Sequence, residues 1–558
     1  MLFKSFHSKY SMDFLSEKNR RIEFLIPIFL FLVVLLLKIE TFDLSYSWDD
    51  FNYVIKAVNY VFSVQVTPFL LEYGLGHPPF FFLFSGLIFR IFGDSLVVSH
   101  LITVVFSFLA VYFTYLIGRE LFSKRVGIIA AFVLLFTPMF FSFSSLFYLE
   151  MPLTALIIIG LYFAIRNNHY LYVLFASLAI LTKEPAIAFV IALLFIKIIK
   201  EKDKLKIGLI YSIPIFVFLL WVLSNKIFYG FFLLPVSTSL IVIEPVKNLF
   251  HFVVVLKILL FDDFRWILTT LFFIQFVSFK KLKEFKNILY PLIFSVIAFF
   301  IFFNVPYLLG RYVVYYANIG NYLELFRNFS LLFAFVVFLI IFTRDEIKKF
   351  LLERNYWEIF ILMLAFIGMY SLIIPTNPKY LLPIFPVFAL LTSNAMSRIF
   401  KNKAFIILLL FVLLSAFQFH GDSDATGFVL ENNLEYQDFI EVRQLGASYI
   451  ESNFADKTIL TTFPLTLDLQ YPYGKYVREG LDVVTIERHA ELASKNYTLY
   501  ANPELNEKDI KINSIDVYYH SPQEFSNQRV QDIRDQLDLE LVKRFEVNNK
   551  VTEIYVVK

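Results

Sequence analysis

The chain has 558 residues, of which 58% are hydrophobic and only 17% are charged, and its mean hydropathy is +0.67. A soluble domain cannot bury that much apolar surface, so the composition excludes a soluble protein and indicates a polytopic α-helical membrane protein. The net charge of +3 gives no basis for a nucleic-acid partner, and the lack of cysteine excludes disulfides and thiol chemistry.

Apolar segments separated by short polar breaks recur along the first three quarters of the chain and predict about 13 transmembrane helices. The predicted spans are 24–40, 97–117, 126–146, 150–166, 170–182, 185–199, 206–224, 265–279, 287–303, 328–343, 357–374, 380–397 and 404–419.

The loops between these spans differ in charge, and this difference predicts on which side of the membrane each loop lies. With a cytoplasmic N-terminus, the short loops rich in lysine and arginine, such as Ser123-Lys124-Arg125 and Lys197–Lys206, face the cytoplasm. The long loops 41–96, 225–264 and 304–327 then face outward. This assignment requires that Phe80–Phe92 does not cross, since at about 13 residues it is too short to span, and we interpret it as an interfacial helix.

The composition changes after Phe419, where the odd number of spans places the rest of the chain outside the cell membrane. We therefore divide the chain into a transmembrane domain, 1–419, and an extracytoplasmic soluble α/β domain, 420–558. Hydrophobic periodicity predicts a helix over Leu434–Asn453. Short β-branched and aromatic runs predict strands, which lie at 457–461, 481–486, 517–519 and 554–557.

Two acidic residues, Asp49 and Asp50, follow the first predicted span, with Tyr53 three residues further on. A carboxylate pair held against a bilayer is costly, which suggests a general base or a metal ligand at the membrane surface. The alternative is a solvated loop or a helix N-cap. Downstream, His77-Pro78-Pro79 could hold a phosphate or orient a carboxylate, or could simply be an interfacial histidine before a helix that begins with proline.

Further candidates lie at predicted outer turns. Glu150, in Tyr148-Leu149-Glu150-Met151-Pro152, could join the aspartates around a cation, or could be a helix-initiating glutamate favoured by the dipole. Lys183 and Glu184 lie in a tight turn, where the lysine could bind a lipid phosphate or pair locally. Two cation–phenol pairs, Arg311-Tyr312 and Lys379-Tyr380, complete the set, with snorkelling anchors as the alternative.

The order of these motifs resembles that of the C-superfamily of integral-membrane glycosyltransferases, and most closely the group of protein O-mannosyltransferases and the lipid A aminoarabinose transferase. The resemblance covers roughly residues 20–400. Its motifs are the acid pair with Tyr53, the His-Pro-Pro run, Glu150-Met151-Pro152, Thr182-Lys183-Glu184 and Lys379-Tyr380 with Pro383 and Pro386. Asp50 replaces the family's usual glutamate and Lys379 its arginine. The Trp-Trp-Asp signature of oligosaccharyltransferases is absent from the sequence.

The resemblance implies an inverting transfer of a monosaccharide from a polyprenyl-phosphate donor, at the outer face of the plasma membrane, to a protein, lipid or glycan acceptor. It implies that Asp49 is the base and that Asp50 and Glu150 orient the acceptor or hold a metal. The implied donor-binding residues are Tyr53, His77, Lys183, Glu184, Arg311, Tyr312, Lys379 and Tyr380.

Three scattered carboxylates leave a divalent cation, Mg²⁺ or Mn²⁺, open as a cofactor. Two other functions also stay open: a transporter or flippase of lipid-linked substrates, and a lipid-linked polymer ligase. A transporter would place its charges near the bilayer midplane and show related halves. This chain clusters its candidate charges at one predicted surface, and no repeat is visible in the sequence.

Overall fold

The protein is described here by a computed structural model. The described residues are 17–46, 49–50, 53–54, 57, 77–233, 241, 243–275, 356–372, 378–419, 430–462, 465–486, 515–522 and 537–558. The predicted spans 287–303 and 328–343, together with Arg311 and Tyr312, lie outside them.

Helices dominate the first 419 residues. They are α1 Glu17–Lys38, α2 Phe80–Phe92, α3 Leu96–Leu121, α4 Lys124–Leu135, α5 Pro138–Phe143, α6 Glu150–Ile165, α7 His169–Ile180, α8 Ala186–Lys200, α9 Lys204–Tyr229, α10 Pro245–Leu260, α11 Arg265–Ile274, α12 Tyr356–Ser371, α13 Phe385–Phe400 and α14 Ala404–Phe417. A 3₁₀-helix, Pro378–Ile384, leads into α13.

Local sequence signals account for several helix boundaries. The hydroxyl of Ser95 caps α3 by accepting a hydrogen bond from the amide of Val98, and Ser123 caps α4 in the same way. Gly230 ends α9 in the left-handed conformation that glycine adopts without strain. The predicted helix over Phe80–Phe92 is confirmed with the same bounds.

The predicted span 126–146 is wrong as one continuous helix. Helix α4 ends at Leu135, and a separate short helix, α5, begins at Pro138. Proline has no amide proton and disfavours helical backbone in the residue before it, and Thr137 is accordingly extended, with ψ of 122°. The apolar run hides this break because hydropathy does not report backbone hydrogen bonding.

By length and composition, three described stretches could cross a membrane: Leu96–Leu121, Lys204–Phe228 and Pro378–Phe417. Helices α3 and α4 pack at very short distance, since a Cβ built on Gly118 would lie 2.6 Å from the Cα of Gly127. Small residues that let backbones approach are typical of helix packing in membranes. The total of 13 spans stays a prediction.

One apolar helix was not predicted from the sequence. The sequence predicts an outer loop over 225–264, but Pro245–Leu260 forms helix α10. This helix packs against α12 and the 3₁₀-helix Pro378–Ile384. Proline at the first helical position is pre-organised for helix initiation. Helix α10 thereby supports the segment that carries Lys379.

The C-terminal residues form a small α/β unit, with helices α15 Glu435–Asn453 and α16 Leu465–Gln470. Its strands are β1 Ile459–Thr462, β2 Val483–Ile486, β3 Val517–His520, β4 Leu539–Val547 and β5 Lys550–Val557. They form one sheet in the order β2-β1-β3-β5-β4, with β1 parallel to β2 and β3 and with β5 antiparallel to β3 and β4. The predicted helix and all four predicted strands are found, whereas β4 was not predicted.

This unit packs on the end of the helical region where the first loop lies. The amide of Tyr46 donates to the carbonyl of Gly474 at 3.1 Å, and the hydroxyl of Ser45 donates to the carbonyl of Lys475 at 2.9 Å. The Lys475 ammonium also pairs with Asp94 at 3.2 Å. The C-terminal unit and the loop after α1 therefore share one end of the helices, as the predicted topology requires.

Candidate active site

The acid pair predicted from the sequence meets Lys379, 330 residues further along the chain. Asp49 and Asp50 lie in helical backbone after α1, and Lys379 is the second residue of the 3₁₀-helix Pro378–Ile384. The Lys379 ammonium donates to Asp49 Oδ2 at 2.6 Å. The Asp49 side chain is 42% exposed and that of Lys379 only 7%, so the carboxylate faces open space from a buried cation.

A second pair, Lys183–Glu150, lies beside the first. Glu150 is the first residue of α6, and Lys183 lies in the tight turn between α7 and α8. The Lys183 ammonium donates to Glu150 Oε1, and both side chains are buried. The second oxygen, Glu150 Oε2, is buried with no hydrogen-bond partner. Lys183 also lies 4.8 Å from the centre of the Tyr380 ring, which joins this pair to the segment that carries Lys379.

The histidine motif joins the same turn. His77 Nδ1 lies 3.0 Å from Glu184 Oε2, and both side chains are partly exposed. The amide of Phe80, the first residue of α2, donates to the carbonyl of Leu181 at 2.8 Å, so the start of α2 is tied to this turn. The Tyr53 ring packs edge-on against His77, with 6.3 Å between ring centres. Five predicted donor-binding residues therefore meet in one place: Tyr53, His77, Lys183, Glu184 and Tyr380.

Asp50 faces inward rather than toward the opening. It is 2% exposed, and its Oδ1 has no hydrogen-bond partner. Near it Tyr148, which is fully buried, donates a hydrogen bond from its hydroxyl to Glu431 Oε1 at 2.5 Å. The Tyr148 ring lies 4.5 Å from the Lys379 ammonium. Glu431 belongs to the short 3₁₀-helix Leu430–Asn432, at the start of the C-terminal unit.

The two neighbouring aspartates have opposite pKa shifts. Burial pushes the pKa of Asp49 upward and is the largest single effect, but the charge and hydrogen bond of Lys379, together with the charges of Lys183 and His77, outweigh it, so the pKa falls below its ordinary value. Burial raises the pKa of Asp50 well above its ordinary value, and the charges of Glu431 and Asp49 raise it further. A pair whose pKa values are pushed apart can hold one ionised and one protonated carboxyl group.

Lys183 keeps its charge in spite of burial. Burial lowers the pKa of its ammonium, but the Glu150 carboxylate outweighs that effect and raises the pKa above its ordinary value. The site therefore holds two ammonium groups that stay charged only because each has a carboxylate beside it. A phosphate arriving here would meet fixed positive charge without any need to recruit it from water.

Of the predicted site residues, Arg311 and Tyr312 lie outside the described residues and stay predictions. Among the residues that the structure describes, no group of three histidine or acidic side chains is close enough to hold a metal ion. Glu150, one of the two predicted metal ligands, instead pairs with Lys183. Asp50 Oδ1 and Glu150 Oε2 remain as hard oxygen donors without hydrogen-bond partners.

Sequence reasoning missed Tyr148 and Glu431. Tyr148 lies two residues before Glu150, but a tyrosine before a helix is commonly a packing residue and gives no signal of a chemical role. Glu431 had no signal at all. It lies 283 residues from Tyr148, in a polar stretch with no pattern that points toward the membrane domain.

Comparisons with known proteins show which families and folds this chain is similar to. Residues 76–228 match the family model described as dolichyl-phosphate-mannose-protein mannosyltransferase. This range includes the His-Pro-Pro run, Glu150 and the Lys183 turn. No curated protein matches the sequence significantly.

Among solved structures, the chain is similar to ArnT from Cupriavidus metallidurans bound to undecaprenyl phosphate, with 14% identity and a TM-score of 0.53 over 94% of this chain and 97% of that one. The apo form of ArnT matches with 14% identity and a TM-score of 0.50, over 96% of this chain and 98% of that one. The archaeal oligosaccharyltransferase AglB from Archaeoglobus fulgidus, in complex with an inhibitory peptide and a dolichol-phosphate, matches with 12% identity and a TM-score of 0.38 over 91% and 70% of the two chains.

The family match agrees with the resemblance to protein O-mannosyltransferases that the motifs indicated. Residues 76–228 match the mannosyltransferase family model, and the fold of the chain is similar to that of ArnT.

Proposed function

We propose that this protein is a glycosyltransferase that moves a monosaccharide from a polyprenyl-phosphate donor to an acceptor at the extracytoplasmic face of the plasma membrane. One observation carries the proposal: the half-exposed Asp49 carboxylate lies 2.6 Å from Lys379, in a cluster that also contains Lys183 and His77. This is the combination of an ionised base and fixed cations that transfer from a phosphate requires. The solved relative with undecaprenyl phosphate bound supports the donor class.

The proposed reaction inverts the configuration at the sugar's anomeric carbon. The acceptor oxygen attacks that carbon from the face opposite the phosphate, a new carbon–oxygen bond forms, and the bond to the phosphate oxygen breaks with its electron pair. Asp49 takes the acceptor proton. The Lys379 and Lys183 ammonium groups, with His77, stabilise the negative charge that develops on the leaving phosphate.

The carboxyl groups have distinct roles in this proposal. Asp49 is ionised and faces the opening, which suits a base. Asp50, with its raised pKa, can be protonated and donate a hydrogen bond that orients the acceptor. Glu184 holds His77 at 3.0 Å, while Tyr53 and Tyr380 form aromatic walls beside His77 and Lys183. Arg311 and Tyr312 remain proposed donor contacts from the loop 304–327.

The charge distribution supports an extracytoplasmic site. Glu150, Lys183 and Lys379 lie at helix ends or in turns. The basic sequences at the opposite ends of neighbouring helices, such as Ser123-Lys124-Arg125 and Lys401–Lys403, mark the cytoplasmic side by the positive-inside rule. The same topology supports a division of the chain into a membrane domain, 1–419, and an extracytoplasmic domain, 420–558.

A divalent cation stays part of the proposal as an untested cofactor. Asp50 Oδ1 and Glu150 Oε2 would be its protein ligands, in which case Asp50 would be ionised rather than a hydrogen-bond donor, and Mg²⁺ or Mn²⁺ would supply additional positive charge at the phosphate. Transfer that is lost in a chelator and restored by Mg²⁺ or Mn²⁺ would support this cofactor. Full transfer in the chelator would contradict it.

The experiment that tests the function is transfer from undecaprenyl-phosphate mannose, and from other radiolabelled undecaprenyl-phosphate hexoses and pentoses, in liposomes that contain a membrane extract as acceptor source. Release of undecaprenyl phosphate together with labelled acceptor supports the proposal. If none of these donors is consumed while labelled lipid moves between the leaflets, the protein is a flippase and the proposal is wrong.

A further inference from the structure

The start of the C-terminal unit is anchored inside the membrane domain. The hydroxyl of Ser142, in α5, contacts the carbonyl of Glu431 at 2.5 Å and that of Asn433 at 2.9 Å. The amide of Leu434 donates to the carbonyl of Phe419, at the end of α14, at 2.6 Å. These backbone contacts fix Glu431 in a buried position, with its side chain directed at Tyr148.

A short series of contacts leads from Glu431 to the candidate base. Its carboxylate accepts the hydrogen bond from the Tyr148 hydroxyl, the Tyr148 ring lies 4.5 Å from the Lys379 ammonium, and that ammonium holds Asp49 at 2.6 Å. The Glu431 carboxylate also attracts the Lys379 ammonium directly. Lys379 is therefore placed between two carboxylates, one from the loop after α1 and one from the C-terminal unit.

Glu431 places a third carboxyl group near Asp49 and Asp50. It lies close enough to Asp50 to disfavour the ionised form of that carboxyl group. Like charges that share a buried site destabilise each other. Glu435, four residues further on, shows the usual arrangement, because it pairs with Lys550 inside the C-terminal unit. Fold stability explains Glu435 well, but it does not explain a third acid beside Asp49 and Asp50.

We propose that Glu431 is a positioning residue through which the C-terminal domain sets the place of Lys379, and thereby the freedom of Asp49 to accept a proton. The inference rests on the proposed transferase function. Glu431 does not touch the reacting atoms; it acts by holding the Tyr148 phenol and by attracting the Lys379 ammonium. A misplacement of Lys379 would leave donor binding nearly intact and slow the transfer step.

The test compares Glu431→Ala, Tyr148→Phe and the double variant in undecaprenyl phosphate release from the labelled donor. Each single variant is expected to lower kcat by about tenfold or more while KM for the donor changes by less than about threefold. The double variant should be no slower than the slower of the two single variants, because both substitutions remove the same hydrogen bond between Tyr148 and Glu431. Glu431→Gln keeps an acceptor for the phenol but loses the charge, so it should retain part of the activity.

Glu435→Gln is the matched control, since it breaks a buried acid–lysine pair in the same domain, with Lys550 rather than Lys379 as the cation. It should lower the melting temperature of the full chain at least as much as Glu431→Gln, yet leave kcat within about twofold. A kcat that is unchanged in Glu431→Ala, or one that falls equally in Glu435→Gln, would overturn the proposal.

A second readout does not depend on transfer. Lys379 is buried against Tyr148 and Asp49, so acetic anhydride should label it slowly in the wild type and at least about tenfold faster in Glu431→Ala, with no change in Glu435→Gln. Equal labelling in all three proteins would overturn the positioning role even if no donor is ever consumed. If no donor is consumed but Lys379 is labelled faster in Glu431→Ala, the proposed function is refuted while the positioning role of Glu431 is supported.

Discussion

Two aspartate–cation pairs in this protein have similar contacts but opposite electrostatics. In the candidate site, Asp49 pairs with Lys379 at 2.6 Å. In the C-terminal unit, Asp468 pairs with Arg443, whose Nε donates to Asp468 Oδ2 at 2.6 Å and whose second nitrogen reaches Asp468 Oδ1. Yet the pKa of Asp49 lies below its ordinary value, whereas burial raises the pKa of Asp468 to about 6 in spite of the arginine.

The surrounding charges explain the difference. Desolvation is the largest single effect on both carboxyl groups, but Lys379, Lys183 and His77 together outweigh it at Asp49, whereas Arg443 does not outweigh it at Asp468. The Asp49 side chain is also 42% exposed, and the Asp468 side chain is 3% exposed. A pair that serves the fold can be fully enclosed, because nothing else has to reach it. A pair that serves a reaction has to keep one side open to substrate, and Asp49 has this openness.

The substitution Asp49→Asn should separate the two pairs most clearly, because it should affect transfer and not folding. The change removes a base with little change in shape, so we expect transfer to fall by about 10²–10⁴-fold while the protein remains folded. Undecaprenyl phosphate release measures the loss. Asp43→Asn is the control, because Asp43 is an exposed aspartate in the same loop, six positions earlier. If Asp49→Asn transfers at the wild-type rate, Asp49 is not the base.

The Arg443→Met change should act on stability instead. It leaves the Asp468 carboxylate buried without its cation, which costs about 3–5 kcal/mol. Hydrogen exchange of the β1 amides in the full chain measures the effect, since β1 is an interior strand with a neighbour on each side. Turnover per folded molecule should be far less affected than in Asp49→Asn. A loss of turnover without faster exchange would show that Arg443 belongs to the site.

A third prediction concerns the pH dependence of transfer. Because Lys379 holds the pKa of Asp49 below about 3.9, the acidic limb of the rate profile should lie below that pH. In Lys379→Gln the attraction is lost while burial remains, so the limb should move up by about 1–3 pH units. Rates measured across the acidic range test this. A limb that stays in place after the substitution would contradict the assignment of Asp49 as the titrating base.

The smallest effect is expected at Asp468. Its folded-state pKa of about 6 exceeds the value near 3.9 of an unfolded chain, so the folded domain binds the proton more tightly. Stability should therefore rise as the pH falls from 7 to 5, by about 1 kcal/mol. Hydrogen exchange of β1 at the two pH values, corrected for intrinsic rates, measures the change. The same pH trend in Asp468→Asn would assign it to another group.

Much of the fold followed from local patterns. Apolar runs located most of the described helices, and alternation of β-branched residues located β1, β2 and β3. Strand β4 was missed because Leu539–Val547 carries four charged residues, which mask the alternation. Its partner β5 is reached through Asn548 and Asn549, which both have positive φ. That asparagine pair is the turn signal that would have identified the hairpin.

The candidate site was predictable to the extent that it depends on motifs. Asp49, His77, Glu150 and Lys183 stand out because charge at a helix end in an apolar chain is rare. The motifs do not predict which acidic residue pairs with which lysine. Glu150 with Lys183, and Asp49 with Lys379, are long-range contacts that depend on how the helices pack. Glu431 depends on that packing entirely, since only the docking of the C-terminal unit brings it to Tyr148.

The contact between Asp49 and Lys379 has a consequence for the time at which the protein becomes active during its synthesis. The two residues are 330 positions apart, and Ser45 and its partner Lys475 are 430 apart. At about 5–20 residues per second, the loop after α1 leaves the ribosome roughly 15–70 s before Lys379 does. Throughout that interval the acid pair is present without its cation. A chain that stalls or is truncated before Lys379 therefore carries the carboxylates but not the assembled pair.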